Sequence, residues 1–323
     1  MSFSHLDWEI ACDKTLTCRA AGYGPEDPNM SVSVLLTRVA GPDQPVAAQV
    51  QLGHYDEKVA AQLPTQVQIT VDGRLLGSVK LAKDSATGRL NPAQTAALLS
   101  AVLGRGSVAW NSGAQRWQLS GNGANAVLLK MDEVQGRLRK PGALVRKGSR
   151  AKTEVLRPLA MPVITAARTE GRSFEGHPGA CRAQDAVVEL VKTGADKDCE
   201  RFADVMKGEA ELAVYRLARD KLLIEAQCWL AAYNGGAAYW TANAQPPFAP
   251  RLVKVEANAY ENGRVLSENK GRGLGDCWSH AEWTWDGKQF LQSATYQTGL
   301  CRFIAPGGAW VLPTLSTVVK ETP

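Results

Sequence analysis

The chain predicts an α+β fold, mainly antiparallel β, in two domains: a β-rich N-terminal unit and an α+β C-terminal unit whose β meander is closed by Cys277–Cys301. Three observations carry that reading. Short runs of alternating apolar and polar residues recur, broken by Asp-Gly or Asn-Gly pairs that mark tight hairpins. Only a few longer segments combine helical spacing with caps. At 323 residues, the chain exceeds what one hydrophobic core usually holds.

Taken in order, residues 8–18 have strand character. Residues 32–38 form a β-branched run ending on Ala40-Gly41-Pro42-Asp43, where Pro fixes φ and Gly and Asp tolerate unusual values. Residues 67–71 alternate strictly into Asp72-Gly73, and 75–81 supply the return strand. A helix follows over 93–103, with Asn91 as its cap, Pro92 where a missing N–H costs nothing, and Gly104 as its stop. Short strands at 108–110 and 117–119 precede a second helix over 124–134, on which Ala126, Leu129 and Val134 keep roughly helical spacing.

Beyond Gly136 the composition shifts. Arg137, Arg139, Lys140, Arg146, Lys147, Arg150, Lys152 and Arg157 accumulate against the single acid Glu154, and Pro141, Pro158 and Pro162 interrupt regular structure. The stretch reads as a basic linker closing a first domain, 1–159, before a second, 160–323. Helices at 182–192 and 198–207 open that second domain. Strands follow at 212–217 and 222–230 about Arg219-Asp220-Lys221, at 237–241 after Asn234-Gly235-Gly236, and at 252–259 before Asn262-Gly263. Residues 283–285 meet Asp286-Gly287, with Phe290 on the return. No fixed-period repeat or heptad interrupts this order.

Composition narrows the function classes. The net charge of +5, from 37 Lys and Arg against 32 Asp and Glu, is too mild for a dedicated nucleic-acid binder. No apolar run is long enough to span a bilayer, so no membrane insertion is expected. Among the seven cysteines, Cys12 and Cys18 have the spacing of a short bridge across a hairpin. Cys277 and Cys301 flank another β segment and can staple it the same way. The pairing of Cys181, Cys199 and Cys228 stays open, and an odd count leaves at least one thiol free or bonded between chains. The absence of Cys-x-x-Cys argues against a zinc knuckle or a redox motif. Disulfides place the chain in an oxidising compartment, buried cytosolic thiols being the alternative. Met1-Ser2-Phe3-Ser4-His5 has none of the features of a signal peptide, so the expectation is a periplasmic protein whose leader has been removed.

Several motifs resemble a known family. Asp7-Trp8-Glu9-Ile10-Ala11-Cys12, Cys18-Arg19-Ala20-Ala21-Gly22-Tyr23, Val34-Leu35-Leu36-Thr37-Arg38 and Met131-Asp132-Glu133-Val134-Gln135-Gly136-Arg137 resemble segments of the bacterial envelope family called domain of unknown function 1176. So do Cys228-Trp229-Leu230-Ala231-Ala232-Tyr233-Asn234, Gly275-Asp276-Cys277-Trp278-Ser279 and Trp283-Thr284-Trp285-Asp286-Gly287. The first half also looks distantly like the invasion-associated locus B family, through its Trp-x-x-x-Cys opening and its Ile-x-x-Asp-Gly hairpin. Both resemblances imply export to the periplasm. Neither implies an activity.

The densest cluster of reactive side chains is Asp276-Cys277-Trp278-Ser279-His280-Ala281-Glu282. An envelope hydrolase would use Asp276, His280 and Glu282 as its acid–base groups; a bridged Cys277 flanked by ordinary strand-end residues is the competing account. Gly271-Arg272-Gly273-Leu274-Gly275 looks like a phosphate loop but enters a β segment instead of a helix. Asp196-Lys197-Asp198-Cys199-Glu200 starts like a calcium loop, yet Arg201 stands where glycine is demanded, so helix capping by Asp196 or Asp198 accounts for it better. His5, His54, His177 and His280 show no metal-ligand spacing, and neither a metal nor a cofactor is expected.

Two binding features remain. Trp229, Tyr233, Trp278, Trp283 and Trp285 concentrate aromatic surface in the second half, Trp283 and Trp285 on one strand face. The cations Arg139, Lys140, Arg146 and Lys147 suit an anionic partner but lack the interleaved aromatics of a single-strand nucleic-acid groove. The sequence therefore points to a non-catalytic periplasmic binding or interaction protein. Its partner would be an envelope protein or an anionic cell-wall component, and an inhibitor or immunity role is one concrete form.

Overall fold

The structure, a computed structural model, describes residues 1–170, 180–193, 197 and 199–322, the side chains of 180–184 and 193 excepted. His177, Asp196, Asp198 and the Cys181 side chain lie outside the described residues. Most of the regular structure in the described chain is antiparallel sheet, and the chain divides into two compact units.

The first unit comprises residues 1–161 with the returning segments 274–278 and 296–316. Its strands are β1 (Ser2–His5), β2 (Trp8–Cys12), β3 (Cys18–Tyr23), β4 (Val32–Arg38), β5 (Ala47–Leu52), β6 (Gln66–Val71), β7 (Arg74–Lys80), β8 (Thr87–Arg89), β9 (Val108–Ser112) and β10 (Gln115–Leu119). One sheet runs β1-β2-β3-β4-β5-β8 and another β10-β9-β6-β7. Asp72 and Gly73 both have positive φ, the geometry that a two-residue hairpin between β6 and β7 requires. Helices α1 (Glu57–Ala60), α2 (Pro92–Gly104) and α3 (Ala124–Val134) complete the unit. Helix α2 starts on a capping box: Gln94 N donates to Asn91 Oδ1 at 2.9 Å, and Asn91 N donates to Gln94 Oε1 at 3.0 Å. One core gathers Trp8, Ile10 and Leu36 from the first sheet, Ile69, Trp110 and Trp117 from the second, and Leu98, Leu128 and Met131 from the helices.

Side chains alternate along a strand, so Ala11, Ala21, Tyr23 and Leu35 face away from that core. They are covered by Ile304, Trp310 and Leu312 of the returning segment. Trp310 Nε1 donates to Ser33 Oγ at 2.7 Å, and Arg302 pairs with Asp7 at 2.7 Å. The Cys277–Cys301 disulfide joins the two returning segments within the first unit and so does not close the second unit's meander, and Cys12–Cys18 bridges β2 to β3.

The basic stretch expected to be a linker is folded onto the first unit. Arg137 is fully buried, and the backbone around it is bonded from Arg139 N to Arg146 O, Arg150 N to Arg139 O and Leu156 N to Gln135 O. Sequence spacing could not show this, because the carbonyls that satisfy Arg137 lie about a hundred residues earlier.

The second unit comprises 162–273, 279–295 and 317–323. It contains β11 (Val163–Ala166), α4 (Ala180–Thr193), α5 (Phe202–Lys207), β12 (Leu212–Ala218), β13 (Lys221–Leu230), β14 (Gly235–Asn243), β15 (Arg251–Ala257), β16 (Ala259–Glu261), β17 (Arg264–Lys270) and all but the end residues, 278 and 296–297, of β18 (Trp278–Trp285) and β19 (Phe290–Gln297). The meander β12-β13-β14-β15 is one sheet, and β16-β17-β18-β19 are successive neighbours in another. Asn262 and Gly263 repeat the positive-φ hairpin between β16 and β17. Strand β11 pairs in parallel with the last strand, Val318–Glu321. One face of the meander packs Val214, Ile224, Ala226 and Trp240 against Leu190, Phe202 and Val205 of the helices. Its other face packs Leu217, Leu223 and Tyr239 with Val265 and Trp285. A Cys199–Cys228 disulfide ties the approach to α5 onto β13, a pairing that the sequence left open.

Candidate functional site

The basic segment is held by three buried charged side chains. Helix α3 buries Ala124, Val127, Leu128 and Met131 on one face, and Asp132 falls in the same phase. Asp132 Oδ2 accepts from Leu144 N at 2.7 Å and Val145 N at 2.9 Å, and Oδ1 lies 3.6 Å from Arg38 Nη1. Arg137 donates to Gln135 Oε1, Pro42 O, Val39 O and Gly41 O at 2.6–3.3 Å. Arg38 donates to Gln44 O and Gly142 O. Burial, then the like charge of Arg137, lowers the Arg38 guanidinium to about 10, and burial raises the Asp132 carboxyl above its ordinary range.

This clamp fixes a loop whose exposed cations are Arg139, Arg146, Lys147 and Arg150. None of the four has an ion-pair partner among the described residues. Arg139 sits at φ 60°, a left-handed backbone that costs energy for a non-glycine residue and is imposed by the surrounding bonds. Lys140 departs from the expected binding set. It is 6% exposed, donates from Nζ to Gly136 O at 2.7 Å and pairs with Glu154, so its charge is spent inside the loop.

The aromatic residues are dispersed. Trp285 is fully buried in the second unit's core, which corrects its place in a binding surface: an indole with no accessible area cannot contact a partner. Trp283 is half-buried with Lys254 Nζ 5.9 Å from its ring, and Trp229 packs over Gly236 in the space a Cβ would take. Trp278 belongs to the first unit and donates from Nε1 to Gly275 O at 2.9 Å. Tyr233, 47% exposed, presents the most open ring of the five.

The reactive cluster is committed to structure. Asp276 is buried and accepts from Phe303 N at 2.8 Å in the first unit. Cys277 is disulfide-bonded, so its sulfur and that of Cys301 are not metal-binding thiolates despite their closeness to Asp276. In the second unit, His280 Nδ1 lies 3.1 Å from Glu268 Oε1, and Glu282 Oε1 accepts from Ser293 Oγ at 2.9 Å.

Sequence reasoning passed over Asp132 and Arg38. The usable signal was an acid in the buried phase of an amphipathic helix. It also passed over Glu225, which lies on the meander face of Leu223 and Gln227 and directly across from Tyr239. Burial first, and the Glu225 charge second, push the Tyr239 phenol far above its ordinary range.

Comparison with known proteins accords with these motifs. A family model described as "Protein of unknown function (DUF1176)" matches residues 2–317. "Uncharacterized protein YpfG" of Escherichia coli (strain K12) is 24% identical over 310 residues, covering 88% of this chain and 84% of its own. No solved structure matches. The chain belongs to the DUF1176 family.

Proposed function

We propose that this DUF1176 protein is a non-catalytic periplasmic binding protein that docks an anionic envelope component through Arg139, Arg146, Lys147 and Arg150. The observation that carries the reading is the loop itself: four exposed, unpaired cations on a backbone held by the buried Arg38–Asp132–Arg137 clamp. A preorganised loop loses little conformational freedom on binding, so more of its electrostatic attraction appears as affinity. The run from 134 to 153 contains no acid to neutralise it. Three disulfides favour an oxidising compartment.

The test is affinity capture from an envelope extract with the oxidised protein, eluting in salt steps. The chain should retain a partner in stoichiometric yield and release it as salt rises, because exposed charge pairs are screened over about 8–10 Å at physiological ionic strength. Arg139→Ala, Arg146→Ala and Lys147→Ala together should abolish retention without altering the melting temperature. Equal capture by both proteins, or no capture by either, would overturn the proposal.

A further inference from the structure

We infer that the second unit contains a separate binding site for a small organic ammonium compound, in a cavity on the meander face opposite the helices. The cavity is about 560 Å³, within the range of ligand pockets. Glu211, Tyr215, Glu225, Gln227 and Asn258 bring polar groups to it, while Leu212, Ala213 and Ala237 supply an apolar lining. The site is independent of the basic loop and lies wholly in the second unit.

The strand register explains how the side chains meet. Ala213 of β12, Glu225 of β13 and Tyr239 of β14 are successive cross-strand partners and therefore share a face. Glu225 Oε2 accepts the Tyr215 hydroxyl at 2.9 Å, which orients the carboxylate at the cavity wall. Tyr239, fully buried and directly across from Glu225, sits behind the cavity wall and is coupled to the same carboxylate.

The chemistry selects a cation. Two carboxylates and no Lys or Arg line the cavity, and Arg201, which donates to the lining Gln227 Oε1 at 3.0 Å, is itself paired with Asp204, so the lining is net negative. The Tyr215 ring, 4.5 Å from that of Tyr260, adds a π surface suited to an ammonium with a hydrocarbon body. A metal ion fits less well. Among the described residues, the grouping of three potential metal-ligating side chains lies at Asp276, Cys277 and Cys301, and none forms here.

The test titrates the full-length oxidised protein with 1,4-diaminobutane, 1,4-butanediol and calcium chloride in a calorimeter. The diamine should bind and the diol should not. Glu225→Gln should weaken the diamine about tenfold or more, the loss expected for one charge-assisted contact. Glu211→Gln, at an exposed position where folding is not at issue, should weaken it by a smaller factor. Equal binding of diamine and diol, calcium binding that displaces the diamine, or full affinity in both glutamate variants would overturn the inference.

Discussion

At the scale of single residues, the buried charges of the first unit are its least replaceable groups. Arg137 satisfies three backbone carbonyls and one side-chain amide through a guanidinium with no exposed surface. Its planar fork matches that set of acceptors, whereas a lysine ammonium cannot reach all four. Arg137→Lys should therefore destabilise the chain by about 3 kcal/mol, the cost of several buried acceptors left unpaired. Urea unfolding would measure it, and a loss below about 1 kcal/mol would mean that water replaces the missing donors. Glu9 sets a pH dependence. Its carboxylate accepts from Tyr23 at 2.7 Å and from Leu300 N at 2.8 Å, yet burial outweighs both bonds and raises its pKa. The native chain thus holds the Glu9 proton more tightly than the unfolded chain does. That stabilisation is complete below the ordinary carboxylate range and is lost as pH rises through the raised value. Asp132 acts with the same sign. Unfolding free energy should fall between mildly acid and neutral pH, and Glu9→Gln should remove part of the slope while leaving the share of Asp132. Parallel slopes in the two proteins would show that Glu9 titrates normally.

At the scale of elements, the disulfides differ in what they restrain. Cys199 and Cys228 are 29 residues apart, whereas Cys12 and Cys18 are 6 apart on adjacent strands. Loop-closure entropy assigns about 3–4 kcal/mol to the first bridge and about 2 kcal/mol to the second. All four sulfurs are buried, so replacing either pair by alanine removes similar packing. The Cys199→Ala/Cys228→Ala protein should melt lower than the Cys12→Ala/Cys18→Ala protein in calorimetry; the reverse order would locate the hairpin bridge's effect in native contacts. The elements legible in the sequence were those with local causes. Asn91 with Gln94 opens α2, and Asp72-Gly73 and Asn262-Gly263 turn their hairpins, through neighbours a few residues away. Strands β1, β8 and β11, three or four residues long, carry too little pattern and owe their order to distant partners. The candidate site was half legible for the same reason. Charge density marked the basic stretch, but nothing local marks Arg137 and Lys140 as buried and Arg139 and Arg146 as exposed.

At the scale of the whole molecule, the chain passes between its two units more than once. It leaves the first near residue 161, returns for 274–278, departs again, returns for 296–316 and ends in the second. Composition marks the first crossing, where basic residues and prolines accumulate. The returns carry no such mark, because Trp310 and Leu312 look like any apolar pair until the face that receives them is known. The consequence for folding is specific. A fragment of residues 1–161 keeps both sheets of the first unit but exposes Ala11, Ala21, Tyr23 and Leu35, a contiguous apolar face of the kind that promotes association. It also strips Ser33 Oγ of the Trp310 indole and Asp7 of Arg302. The fragment should bind a hydrophobic dye, sediment as oligomers and melt well below the full chain, because a buried face and its hydrogen bonds are lost together. Extending it to residue 316 should reverse all three properties. A monomeric 1–161 fragment with the full chain's melting temperature would instead show that the first unit folds without its returning segments. Their docking would then serve something other than stability.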